Sequence, residues 1–501
     1  MKRVVVIGGG VAGLGAAYRI IRAQAAGHPV DVVVVEKSTR VGGKLATDIV
    51  PDPEGGEYVV DGGSDAFVST KPAVRRIART LGIEDDIVPA RDENKRTLIV
   101  KGDRLIELPD GIMMFAPTKL MPLATTSLYS WPGKFRMALD LVIPRKERWA
   151  PGESAKDHDE TLESFVTRRM GREALDRVAE PLVGGVHASD PTVMSLAATF
   201  PEFLEMEQKH GSLIRGFLEQ RKAREAMKAR QPARPGQKPW SFFNTFVRGM
   251  QTLPNAMAAA VGAERIVLGK AVTAVERAGA GWRVVLDDGD AISADGVIVA
   301  TEAWAGTGIV SGVDPRIAEL LAQTPCSSSV TVPMAFREAD CPFDKRWHGI
   351  LVPLVEKRPL LAVTLSSSKW PDRTPDGKVL MRGFIGGPRN QHLVEASDED
   401  LVELTRREIV RMLGMPDDAR PVFASVYRWT GGMPQYTLGH LDRVEEIEAR
   451  TAQIPAFAMA GSAFRGVGIP NCIEGGEKAA DKVLRDLGVE HAEDRSSGQR
   501  R

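Results

Sequence analysis

Apolar residues follow two rhythms in the opening segment of this chain. Residues 2–7 (KRVVVI) and 30–36 (VDVVVVE) are nearly unbroken apolar runs of strand length, while GLGAAYRIIRAQAAG between them spaces its apolar positions at helical intervals. Unbroken valine runs suit strands covered on both faces, so the pattern predicts a strand–helix–strand unit in a parallel sheet. Further along, KPAVRRIARTLG at 71–82 reads as a helix stopped by glycine, and RTLIVKGDRLIELP as paired strands. Residues 112–182 are helix-rich and well supplied with Met and Leu, which fits a subdomain core, a cavity wall or a membrane-facing surface. Strand signals return over 266–300 as a meander expected to feed back into the first sheet, and a mixed segment at 306–429 precedes a second glycine-rich run at 460–481, AGSAFRGVGIPNCIEGGEKAAD.

This order predicts an α/β protein with a Rossmann-like dinucleotide-binding domain assembled from 1–73, 240–305 and 430–490. A mixed-sheet substrate domain is expected from 88–112, 195–239 and 306–429, with a helical subdomain at 113–194. At 501 residues the chain exceeds what one core holds, so several cores are expected. Sixty-six basic residues balance sixty-six acidic ones, leaving no global field to draw in nucleic acid or a membrane surface. The basic run at 209–239 contains only Phe217 as an aromatic and reads as a solvated helix and linker; 491–501 reads as a disordered tail. Cys326, Cys341 and Cys472 are scattered and lack metal-ligand spacing, which points to a reducing cytosol and no metal site; Cys472 reads as a packing residue. No signal peptide and no spanning segment is expected, so membrane contact is peripheral at most.

The chemistry concentrates at the glycine runs. Gly8, Gly10 and Gly13, with Gly9, Val11 and Ala12 between them, form a GxGxxG directly after a strand and at a helix start. There the first glycine permits the turn, the second lets backbone approach a pyrophosphate, and the third allows close helix–strand packing. Glu36 ends the next strand, where a carboxylate can accept ribose hydroxyls. Lys37 follows it, then Arg40, Gly42, Gly43 and Lys44, then a DGG turn with Gly63, Ser64, Asp65 and Ala66. This construction is larger than NAD requires and points to FAD. The Val272 backbone is expected at the adenine, and the amides of Gly466, Val467, Gly468 and Ile469 are expected to stabilise negative charge on the reduced flavin ring.

These combined features resemble the flavin amine oxidase and desaturase superfamily. GGMPQYTLGHLDRV at 431–444, GVGIPNCIEGGEKAA after it, and ETLESFVTRRMGREALDRVAEPLVGGVHASDPTVMSLAATFPEF at 160–203 are more narrowly similar to the protoporphyrinogen oxidase family. The resemblance runs from residue 2 to about 488 and implies FAD-dependent, six-electron oxidation of a porphyrinogen in heme biosynthesis, with molecular oxygen as acceptor and hydrogen peroxide as by-product. It implies Arg96 and Lys71 as partners of substrate propionates, although as residues alone both read more readily as surface charges. It implies Gly349, Leu351 and Phe384 as walls around the macrocycle. Coproporphyrinogen III is the favoured substrate and protoporphyrinogen IX the alternative, with a downstream heme-pathway enzyme such as a ferrochelatase as a candidate partner. His187 and the ASD turn after it depart from the family pattern, and His440 reads as structural, so no general base is assigned. More remote readings are an amine oxidase or desaturase, and a flavin-free escort protein. The expected location is the cytoplasm.

Overall fold

The computed structural model describes residues 1–91, 96–230, 241–388 and 390–489, apart from the side chains of 113, 120, 184–187 and 224–230. Most of the linker expected before residue 240, and the expected tail at 491–501, lie outside the described residues.

A five-stranded parallel sheet carries strands in the order Ile266–Leu268, Val30–Glu36, Lys2–Ile7, Gly296–Val299 and Phe457–Met459. Its valines are spent on both faces. Val4, Val6, Val32 and Val34 pack under helices Val11–Ala25 and Ile469–Asp486, while Val5, Ile7, Val35 and Val299 face a second cluster around Trp282 and Phe457. Each such side chain contributes about 1.5–3 kcal/mol when fully buried, which is why the runs contain no alternation. The meander expected over 266–300 is split. Residues 266–268 and 296–299 join the parallel sheet, and Val272–Ala278, Gly281–Leu286 and Ala291–Ala294 form a separate antiparallel sheet.

An eight-stranded, largely antiparallel sheet forms a second layer, with Cys326–Arg337, Lys378–Gly386, Leu360–Thr364, Trp347–Leu351 and Arg96–Lys101 side by side at its centre. One face, with Val330, Val332, Met381, Val363, Ile350 and Leu98, is buried under helix Asp398–Leu413. The other face fronts the parallel-sheet domain and the helical subdomain.

The Met- and Leu-rich region forms a core around Phe115, Phe165, Leu175 and Phe203. It also turns apolar residues outward. Over 131–142 the exposed residues are Trp131, Pro132, Phe135, Ala138, Leu139, Leu141 and Val142, while Lys134 and Asp140 point inward. Lys134 donates to the Ala124 carbonyl at 2.7 Å, and Asp140 pairs with fully buried Arg169. Among the described residues no helix is long and apolar enough to cross a membrane.

Candidate functional site

Helices Val11–Ala25 and Ile469–Asp486 both follow parallel strands of one sheet, so both N-termini sit at its carboxyl edge, where ligands bind in such sheets. Neither is capped by a side chain, and neither carries an acidic residue in its first turn. Two long helices thus present free N–H groups and positive dipole ends to the same side.

The glycines differ in what surrounds them. A Cβ on Gly13 would lie 1.9 Å from the Gly8 carbonyl oxygen, and one on Gly8 2.6 Å from that of Ala300. On Gly10 it would meet nothing within 4 Å. Gly8 and Gly13 are therefore required by packing, and Gly10 faces open space in front of the first helix. Glu36 is buried beside this turn, accepting from the Gly9 N–H at 2.6 Å and the Ser38 N–H at 2.8 Å. Lys270 and Gly269 donate to the carbonyls of Glu36 and Ser38, which brings Val272 to the same corner. Lys37 lies over the Trp304 ring.

From Gly10 a continuous wall leads toward the second helix. Gly42 donates to the Gly9 carbonyl at 2.8 Å, and a Cβ on Gly43 would come within 3.2 Å of the Gly10 Cα. Lys44 reaches Glu302 and Ser462 Oγ, each at 3.2 Å, and the Gly432 carbonyl. A Cβ on Gly63 would lie 1.8 Å from the Lys44 carbonyl oxygen, so the 63–66 turn packs directly on this wall. Ser64 donates to the Ala66 carbonyl. Arg40 ties the loop together, donating to the carbonyls of Val41, Gly43 and Leu45 and to Gln251 Oε1. The Asp65 side chain turns away from the wall. Burial alone would raise its carboxyl, but Lys369, Arg382 and the Trp370 indole N–H outweigh that and hold it well below the usual range.

At the far end, Tyr436 accepts from the Gly466 N–H at 2.9 Å and donates to the Ser462 carbonyl at 2.6 Å, while Asn471 Nδ2 donates to the Arg465 carbonyl at 3.0 Å. These contacts shape the turn that delivers Val467, Gly468 and Ile469 to the helix start. His440 stacks on Tyr436 and meets the Phe464 carbonyl oxygen through Nε2 at 2.8 Å. Burial pushes its pKa down from 6.5 to about 4, so at neutral pH it is an uncharged packing residue with Nε2 protonated. The Cys472 thiol is buried and pushed up to about 11 by that burial, as befits a packing residue.

The face of the large sheet opposite helix Asp398–Leu413 supplies a different surface. Strand register aligns Thr331, Phe384, Ala362, Leu351 and Ile99 in one row, and Pro333, Arg382, Thr364, Gly349 and Thr97 in the next. Phe384, Thr364, Gly349, Leu351 and Thr97 are only partly buried although they lie in the middle of the sheet. Ala362 lies between Phe384 and Leu351 in the first row, and Thr364 and Gly349 adjoin it in the second. A Cβ on Gly349 would lie 2.8 Å from the Val363 carbonyl oxygen. The structure thus brings Gly349, Leu351 and Phe384 together. It does not bring Arg96 to them. Arg96 shares strand parity with Leu98 and Val100, on the face under helix Asp398–Leu413, and pairs with Glu107 at 3.5 Å while 40% exposed. Lys71 is exposed at the other end, donating to Asn471 Oδ1 at 2.8 Å beside the second helix start. The His187 side chain lies outside the described residues.

Comparison with known proteins gives concordant matches. The family described as flavin containing amine oxidoreductase matches residues 11–484. A coproporphyrinogen III oxidase of Bacillus subtilis (strain 168) is 32% identical over 97% of this chain and 98% of the relative. One from Staphylococcus aureus (strain NCTC 8325 / PS 47) is 30% identical over 97% of this chain and all of the relative, 100%. The crystal structure of an Exiguobacterium protein provisionally assigned as a protoporphyrinogen oxidase superposes with a TM-score of 0.81 at 27% identity, covering 97% of this chain and 99% of the other.

Proposed function

Because the chain belongs to the flavin-containing amine oxidoreductase family, a flavoenzyme lineage, we propose that it binds FAD and oxidises coproporphyrinogen III to coproporphyrin III in heme biosynthesis. Six electrons pass to three molecules of dioxygen, giving three of hydrogen peroxide. The observation that carries the reading is the pair of uncapped helix N-termini linked by one glycine-lined wall, in a chain alike over nearly its whole length to coproporphyrinogen III oxidases.

The residues present fit an extended dinucleotide. Gly9, Gly10 and the start of helix Val11–Ala25 would hold the diphosphate, Glu36 the ribose, Lys37 and Val272 the adenine end. Gly42, Gly43, Lys44 and the 63–66 turn would line the middle, and Val467, Gly468 and Ile469 the pyrimidine end. Bound there, the flavin would supply the acceptor for hydride from the tetrapyrrole. The chain's own part is to dock a flat ring on the Phe384–Ala362–Leu351 row, keep water from it, and meet propionates with Lys71. Arg96 stays outside this set because it lies on the opposite face of the sheet from the Phe384–Ala362–Leu351 row. His440 is committed to Phe464, so no proton acceptor is assigned.

Anaerobic addition of coproporphyrinogen III to the purified yellow protein should bleach the flavin, and air should then produce coproporphyrin fluorescence. Phe384→Ala should raise KM about tenfold with flavin content unchanged, since a buried aromatic contact is worth on the order of 1–2 kcal/mol. A colourless protein that refuses FAD would end the reading. Protoporphyrinogen IX is the second reading, favoured by the Exiguobacterium likeness, and side-by-side turnover of the two porphyrinogens decides between them. A cytoplasmic location with peripheral membrane contact through the outward apolar row at 131–142 completes the proposal, as does hand-over of the product to a metal-inserting enzyme such as a ferrochelatase.

A further inference from the structure

Behind the 61–66 turn lies a buried group of charges that the proposed reaction does not use. Arg382 donates from Nη1 to the carbonyls of Asp61 and Gly63, each at 2.6 Å, and pairs with Asp65 at 3.3 Å. Lys369 pairs with Asp65 at 3.1 Å, and Arg373 with Asp61 at 3.4 Å. Three cations therefore face two carboxylates. Arg373 and Arg382 are 2% and 3% exposed, and Arg373 Nε and Nη1 and Arg382 Nε are left without a hydrogen-bond partner. Both arginines line one small cavity of about 10 Å³ together with Asp61 and Asp65.

Such an arrangement is costly unless something offsets it, because buried guanidinium N–H groups are normally paired and a surplus charge in a low-permittivity interior is disfavoured. The carbonyls that Arg382 grips belong to the turn that packs against Lys44, on the wall between the two helix starts. A negative charge arriving on the outer side of that wall is the natural counterpart of the surplus.

We propose that Asp61, Asp65, Lys369, Arg373 and Arg382 form an electrostatic cradle for the flavin ring, whose net positive charge raises the reduction potential by favouring the reduced, negatively charged ring. Arg382 is then a positioning residue as well, since its two carbonyl contacts fix the turn at the ring edge. The inference rests on the FAD reading above and adds a sign to it. Removing a cation makes reduction harder, whereas removing an anion from the same cluster makes it easier. A purely structural role predicts no such opposition.

The test is the midpoint potential of the holoenzyme, measured by equilibration with redox dyes. Lys369→Met should lower the ratio of reduced to oxidised flavin at fixed poise by about tenfold, equivalent to about 30 mV for two electrons. Asp65→Asn should raise it by a similar factor, and Arg382→Lys, which keeps the charge, should leave it within about threefold. Flavin content and the visible spectrum are read on the same samples. Holoproteins in which Lys369→Met and Asp65→Asn leave the potential unmoved, or move it in one direction, overturn the cradle while leaving the proposed function standing. Should Asp65→Asn not fold, Lys369→Met, on a partly accessible side chain, still decides against Arg382→Lys. A parental protein without flavin would refute the proposed function and this inference together.

Discussion

Adding the same methyl group at Gly10 and at Gly13 should have opposite consequences, although the two positions are one helical turn apart. Propensity alone predicts that Gly13→Ala stabilises the N-terminal helix by about 1 kcal/mol. The structure reverses the sign, because the new Cβ would sit 1.9 Å from the Gly8 carbonyl oxygen, where backbone on both sides leaves nothing flexible to yield. Relief requires prising the helix from its strand, and such overpacking costs about 1–3 kcal/mol, more where backbone itself must move. Gly10 has φ −72° and ψ 175°, a conformation open to any L-residue, with nothing within 4 Å of the added atom. Gly10→Ala should therefore leave the flavin-free fold within about 1 kcal/mol of the parent, or slightly stabilised through the unfolded chain. Its penalty falls on the cofactor. A methyl group in the approach of the pyrophosphate loses roughly two charge-assisted hydrogen bonds of about 1.5–3 kcal/mol each, weakening FAD affinity by about 10²- to 10⁴-fold. Urea denaturation of both apoproteins, with FAD titration by fluorescence quenching, reads the two effects separately. Parental FAD affinity in Gly10→Ala, or an apoprotein as unstable as Gly13→Ala, would refute the assignment of that space to a phosphate.

Two further outcomes follow from geometry elsewhere. Arg96→Ala should change KM for the porphyrinogen by less than about twofold, since an exposed pair such as Arg96–Glu107 is worth roughly 0–1 kcal/mol and lies on the face of the sheet opposite Phe384 and Leu351; a tenfold rise in steady-state assays would put Arg96 at the substrate. For His440, a folded-state pKa near 4 against an ordinary 6.5 means that between these values the unfolded chain binds a proton that the native state does not. Its contribution is thus fully present above about pH 6.5 and is lost at about 1.4 kcal/mol per unit as pH falls toward 4. His440→Gln, which can still donate to Phe464, should flatten this part of the acid limb in chemical denaturation, and an unchanged slope would show that burial does not control the imidazole.

What could be read ahead of the structure follows from range. The turn at Gly8–Gly13, Glu36 and the helix start at Ile469 are local patterns, in which residue type and spacing alone carry the backbone requirement. Face assignments in RTLIVK are another matter. Leu98 and Ile99 are both apolar and both buried, so alternation cannot say which parity shares the face of Phe384 and Leu351, and Arg96 falls on the other side. Arg40 sits in the expected cation cluster, and its guanidinium donates to carbonyls one to five residues along its own loop and to Gln251, a set of partners invisible to composition. The charges around Asp65 come from positions some 300 residues distant, Lys369 on a short helix and Arg382 on a strand whose pairing is set by the sheet. Only tertiary register makes Arg382 and Asp65 neighbours.

The two glycine-rich ends also explain each other through a contact that neither motif demands alone. A Cβ on Gly476 would lie 2.0 Å from the Ala12 carbonyl oxygen, and one on Gly15 3.1 Å from that of Ile473. The first and last helices therefore touch backbone to backbone about one turn inside their starts, and Arg19 ties to Asp481 farther along at 2.7 Å. Side chains of ordinary size at these positions would push the axes apart and separate the N-termini that the wall from Gly10 to Gly468 connects. Gly15 and Gly476 serve the spacing between two anion-facing helix ends rather than either turn. A ligand spanning both ends must consequently resist separation of the chain's first and last segments, coupling cofactor affinity to the packing of two helices that lie more than 400 residues apart in sequence.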